Sequence, residues 1–160
     1  MDAMWLIRAS RGALARSQDA ADIMAEAWQA QALAQAIGSR LAVGGPPELR
    51  GEALGLTEVS GRGCGALGPP PLGNGGIRAA RLSGVGDARG ALVGLGGLLG
   101  EVGIALVGVA CSADQEPRYW ACVEAIDAAD ESRDRVVEML RRLAARERGL
   151  SAPDPTAGPP

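Results

Sequence analysis

Residues 91–111, ALVGLGGLLGEVGIALVGVAC, hold ten Leu, Ile and Val, six Gly and one charge, Glu101. A segment this apolar is either the central helix of a packed fold or a membrane span, and that choice governs the rest of the chain. The length suits a span, which needs about 20 predominantly apolar residues. The energy does not. The ten branched residues contribute on the order of −4 to −5 kcal/mol on the insertion scale, and a central acid costs about +2.5 to +3.5. The glycines add little, so the sum lies near zero and a buried helix is favoured over a membrane span.

The segment reads as two faces at helical spacing. Leu92, Leu95, Leu99, Val102, Leu106 and Val109 recur at steps of three and four and form a bulky stripe. Gly90, Gly94, Gly97, Glu101, Ala105 and Gly108 form a flat one with a single carboxylate, continuing to Ser112. Small residues let another backbone approach closely, so the flat face is a candidate helix-packing or dimer seam. The glycines carry a cost, because each in a helix interior loses roughly 0.8–1 kcal/mol relative to Ala. Packing on the flat face has to offset it.

The neighbouring segments are also helical. Residues 3–16 give a short helix, and Ser17 or Asp19 suits the cap of a longer one over 20–42, with Ile23, Ala27, Ala30, Ala34, Ile37 and Leu41 as its stripe. Gly44-Gly45-Pro46-Pro47 ends that helix and Pro47 opens another over 47–58. Residues 61–76, with seven Gly and three Pro, are expected to form a long mobile loop. A weak helical stretch near Ile77 precedes the 87–112 helix, and a final helix is expected over 115–148, ended by Gly149. The tail 149–160 has the composition of a disordered segment. Strand signals are scattered and no alternation runs cleanly. The expected fold is all-α: one domain over 1–148, a bundle of four to six helices. With no Phe, its core draws on Leu, Val, Ile and Ala, with Trp5, Trp28 and Trp120 as the large pieces.

Composition excludes several chemistries. All sixteen basic residues are Arg, and neither His nor Lys occurs. That removes the Ser-His-Asp and Cys-His pairs, imidazole metal ligands, Schiff-base lysine and the phosphate-loop lysine. Gly63-Cys64-Gly65-Ala66-Leu67-Gly68 fits G-x-G-x-x-G in letters only, since three prolines follow it and no strand precedes it. The net charge of −3 gives no general attraction to nucleic acid. The start MDAMWLIRASRG does not resemble a secretion signal, so the expected location is cytoplasmic. Cys111 and Cys122 read as small buried packing residues, and Cys64 as a more exposed thiol.

Two constellations remain. Glu124, Asp127, Glu131, Asp134 and Glu138 lie on one helical stripe. The ordinary account is a solvated face, relieved in part by Arg118, Arg133 and Arg135; the functional one is a docking face for a protein partner. Glu101, if buried, needs an Arg, and Arg40, Arg78, Arg81 and Arg89 are the candidates.

At AWQAQALAQAIGSRLAV (27–43), GRGCG (61–65), LLGEVGIALVGVAC (98–111) and YWACVEAIDAADESRDRVVEMLRRLA (119–144), the chain resembles a small actinobacterial, Streptomyces-type family of unknown function. The Arg-only basic set and abundant Ala, Gly and Pro suit such a high-GC source. The resemblance implies no catalytic residues. The expected function is therefore a non-enzymatic module that binds another protein or a second copy of itself, with no cofactor. A membrane-associated protein held through 91–111 and a carboxylate-based, possibly metal-dependent enzyme are the alternatives.

Overall fold

A computed structural model describes residues 1–71 and 75–151. The chain forms five α-helices: α1 (Ala3–Arg16), α2 (Ala20–Gly44), α3 (Arg50–Leu67), α4 (Ala88–Cys111) and α5 (Glu116–Ser151). Single 3₁₀ turns at Pro47–Leu49 and Arg78–Arg81 join them. The only sheet-like pairing among the described residues is an isolated parallel bridge between Asp2 and Gly84. The protein is an all-α helical bundle.

Local chemistry sets the boundaries. Asp2 accepts from the Trp5 amide and starts α1. Asp19 accepts from the Asp22 amide at 2.8 Å and starts α2. Gly45 closes α2 through its amide to the Leu41 carbonyl. Gly68, at φ +72°, ends α3 in a conformation that L side chains rarely adopt.

Helices α2, α3, α5 and α4 run alternately down and up around a core of leucine and alanine. Leu33, Leu56, Leu92, Leu95, Leu98, Leu99, Leu106 and Met139 are fully buried, with Ala30, Ala34, Ala53, Ala125 and Ala129 between them. Small residues permit close approach. A Cβ on Gly38 would stand 2.6 Å from Thr57 Oγ1 and 2.9 Å from the Ala53 carbonyl, so α2 and α3 meet nearly backbone to backbone there. Helix α1 lies parallel to α4, in the groove between α4 and α2.

Several expectations need correction. Residues 61–67 belong to α3, because the glycines there face either open solvent or close neighbours and Pro69 is the first residue that cannot extend the helix. The proposed loop thus shrinks to 68–76, of which 72–74 lie outside the described residues. The stretch after Ile77 is a single 3₁₀ turn, since Gly84 and Gly86 leave it nothing to propagate into. Helix α5 passes Gly149 and reaches Ser151, while 152–160 lie outside the described residues. The tryptophans do not form the core. Trp5 is 51% exposed, Trp120 is 58% exposed and Trp28 is half-buried. Packed Leu and Ala leave no room for an indole between helices this close.

Candidate protein-interaction surface

The bulky stripe of α4 (Leu92, Leu95, Leu99, Val102, Leu106, Val109) is buried throughout. The flat stripe divides in two. In its first half α1 covers it, in register: a Cβ on Gly90 would stand 3.0 Å from Met4 Sδ, one on Gly94 3.2 Å from Ile7 Cγ2, and one on Gly97 3.0 Å from Arg11 Nη1. Those glycines are needed for α1 to fit. Arg11 continues the register by clasping Glu101 with both Nε and Nη2, at 3.1 and 2.5 Å. This bond raises the Arg11 pKa. None of the four arginines expected to reach Glu101 does so, because α1 rather than α2 or the 78–89 segment lies beside it. The pair is open to solvent, each side chain about two-fifths exposed.

Beyond Arg11 the seam opens. Helix α1 ends at Arg16, whereas α4 continues to Cys111. An apolar groove of about 510 Å³ remains, lined by Arg11, Gly12, Leu14, Ala15, Glu101, Ile104 and Ala105. Ile104 is 77% exposed at its edge, Val107 is 47% exposed, and a Cβ on Gly108 would meet none of the described residues within 4 Å. At 100° per residue, Val93, Gly97, Gly100, Ile104, Val107, Gly108 and Cys111 share one arc of α4 that carries no charge. All seven are exposed or partly so. Helix α5 bounds the other side: Asp130 lies 3.7 Å from the position of a Cβ on Gly103, and Arg133 lies 3.7 Å from one on Gly100.

The sequence reading placed Gly90, Gly94, Gly97 and Gly108 on one seam and overlooked this third arc. Its signal was present, since Val93, Ile104 and Val107 are large residues that belong to neither stripe.

The acidic stripe of α5 separates too. Glu131 pairs with Arg62 of α3 at 2.6 Å, and Glu138 with Arg142 at 3.3 Å and Arg141 at 3.5 Å. Glu124, Asp127 and Asp134 are exposed and form no ion pair among the described residues. Arg135 turns away from the stripe to Glu52, which Arg142 also reaches, and Arg146 pairs with Glu48. The basic end of α5 therefore ties it to the Pro47–Leu49 turn and the start of α3, where the sequence suggested only a favourable helix-end charge.

Among the described residues no three Asp, Glu, Cys or His converge as ligands for a metal ion. Cys64, on α3, donates its thiol to the Trp28 carbonyl at 3.6 Å, and burial pushes its pKa up to about 11. It is therefore less accessible than expected. Of the other two cysteines, Cys122 is buried and Cys111 is exposed. The half-buried Arg78, whose pKa burial lowers, pairs with Glu26 and bonds Ser10 and the Gln29 amide oxygen. That network fastens the 75–81 connection to α1 and α2.

No curated protein and no solved structure matches the chain. A family model does, over residues 1–142, which takes in the whole of α1 to α4 and most of α5. On that match, the chain belongs to the family of unknown function DUF6099.

Proposed function

We propose that this chain is a non-enzymatic protein-binding module that docks a partner on the open half of the α4 seam. One observation carries the reading. Ile104 stands 77% exposed on an uncharged arc, beside an apolar groove that α1 stops short of filling. Large apolar residues gathered in a groove with a polar rim are the usual mark of a docking surface. The residue inventory supports it from the other side, since a chain without His or Lys has few routes to acid–base or covalent catalysis. The unpaired Glu124, Asp127 and Asp134 offer a second, weaker face to a basic partner.

The test is capture from the native host with the wild-type chain and with Ile104→Glu as baits. A specific partner retained by the first and lost from the second supports the reading. Identical captures by both, or none beyond background, overturn it.

Helix α4 also supports a second reading, membrane association, because it is long and apolar enough to cross a bilayer by length and composition. Spanning would pull Leu92, Leu95, Leu99 and Leu106 out of a packed core, so lying on a surface through the exposed arc is the version that fits the packing. The proposed setting is the cytoplasm of an actinobacterial cell. The Arg-only basic set supports the source, and fractionation of the host tests the location.

A further inference from the structure

We propose that the last two turns of α3, residues 61–67, are a latch that unwinds from Gly61 while the rest of the bundle stays folded, uncovering the Gln31 amide and the Cys64 thiol. The inference is independent of the docking surface on α4. It rests on how differently the two parts of α3 are held and on what the second part covers.

Up to Ser60 the helix is anchored in the core. Ala53 and Leu56 are fully buried, Val59 is nearly so, and Ser60 Oγ lies 3.2 Å from Ser132 Oγ of α5. Past Ser60 the sequence reads GRGCGAL, with three glycines in seven residues. Glycine is the poorest helix former after proline, so the stretch gains little from being helical. Leu67 is its one large apolar side chain and is only half-buried. The Arg62–Glu131 pair is open to solvent on both sides, and pairs so placed contribute little. Few buried apolar contacts and exposed partners mark a segment that opens locally.

What the stretch covers also favours opening. Gly63 wedges between α2 and α5: a Cβ there would stand 2.8 Å from Gln31 Cδ and Nε2 and 3.2 Å from Ala128 Cβ. Gln31 is fully buried beneath it, and among the described residues its amide has no hydrogen-bond partner at either atom. Closing the latch strips water from that amide without replacing its bonds, and opening restores the water. The neighbouring Cys64 donates its thiol to the Trp28 carbonyl of α2 at 3.6 Å. Unwinding from Gly61 therefore frees the amide and the thiol together, and the fold gates access to Cys64 by a local equilibrium rather than by global unfolding.

The test is the rate at which N-ethylmaleimide labels each cysteine of the full chain, read by mass spectrometry of the digest, in the range where rate is proportional to reagent. Urea dependence reports the surface exposed in the reactive state. For Cys64 it should be under about a third of that for global unfolding. A Cβ on Gly65 or on Gly51 would meet none of the described residues within 4 Å. Gly65→Ala, inside the latch, should slow Cys64 about fourfold by favouring the helix. Gly51→Ala, at the anchored end of α3, should leave the Cys64 rate unchanged. Gln31→Leu should slow Cys64 at least about fivefold, because opening no longer rescues an amide. Labelling of Cys64 with the full urea dependence of global unfolding overturns the proposal. So does a Cys64 rate indifferent to both Gly65→Ala and Gln31→Leu, which would mean that the thiol reacts in the closed fold.

Discussion

Arg11 Nη2 lies 2.5 Å from Glu101 Oε1, and this pair marks where α1 stops covering α4. Before it, three glycines of α4 receive side chains of α1; after it, the seam face of the same helix is left open. Ion pairs this exposed contribute little. A double-mutant cycle with Arg11→Ala and Glu101→Ala should give a coupling of about 0.2–1 kcal/mol that shrinks as salt is added. A salt-insensitive coupling of several kcal/mol would mean that the pair is shielded from water.

The glycines should differ in sign according to what stands over them. Gly65 on α3 has none of the described residues within 4 Å of its missing Cβ, so Gly65→Ala should stabilise by up to about 1 kcal/mol through helix propensity. Gly38→Ala meets Thr57 Oγ1 at 2.6 Å and the Ala53 carbonyl at 2.9 Å and should destabilise by about 1–3 kcal/mol. Urea unfolding of the two variants separates them, and equal shifts would contradict the close α2–α3 approach.

Gln31 is fully buried, and among the described residues neither its amide oxygen nor its nitrogen has a hydrogen-bond partner. Its amide presses on Gly63, where a Cβ would stand 2.8 Å away. An unsatisfied buried amide costs about 1–3 kcal/mol, so Gln31→Leu, close in volume, should raise the unfolding midpoint in urea. A lowered midpoint would show that the amide is bonded in solution.

The three thiols should react with Ellman's reagent in order. Cys111 is exposed and should go first, while Cys64 and Cys122 should wait for local opening. The pH dependence follows from Cys64. Its pKa in the fold is about 11 against an ordinary 9.0. Between those values the unfolded chain holds fewer protons than the folded one, so stability should fall as pH rises from 9 towards 11. The slope is on the order of 1 kcal/mol per pH unit. Cys64→Ser should flatten it; an unchanged slope would locate the effect elsewhere.

Periodicity alone carried the sequence far. The inward faces of α2 and α4 follow from spacing, because a helix fixes which residues share a face whatever it packs against. Ala27, Ala34, Ile37, Leu95 and Val102 are buried as their positions require. Composition alone removed the chemistries that need His or Lys. Tertiary packing decided the rest. Spacing shows that Gly90 and Gly108 share a stripe, but only the length and register of α1 determine that one is covered and the other open. Trp120 has the spacing of a core residue at helical period, yet closely packed Leu and Ala expel it. Glu101 needed a cation, and four arginines nearer in sequence were eligible. Arg11, 90 positions away, reached it because partner choice depends on which helices lie side by side, which no local pattern encodes.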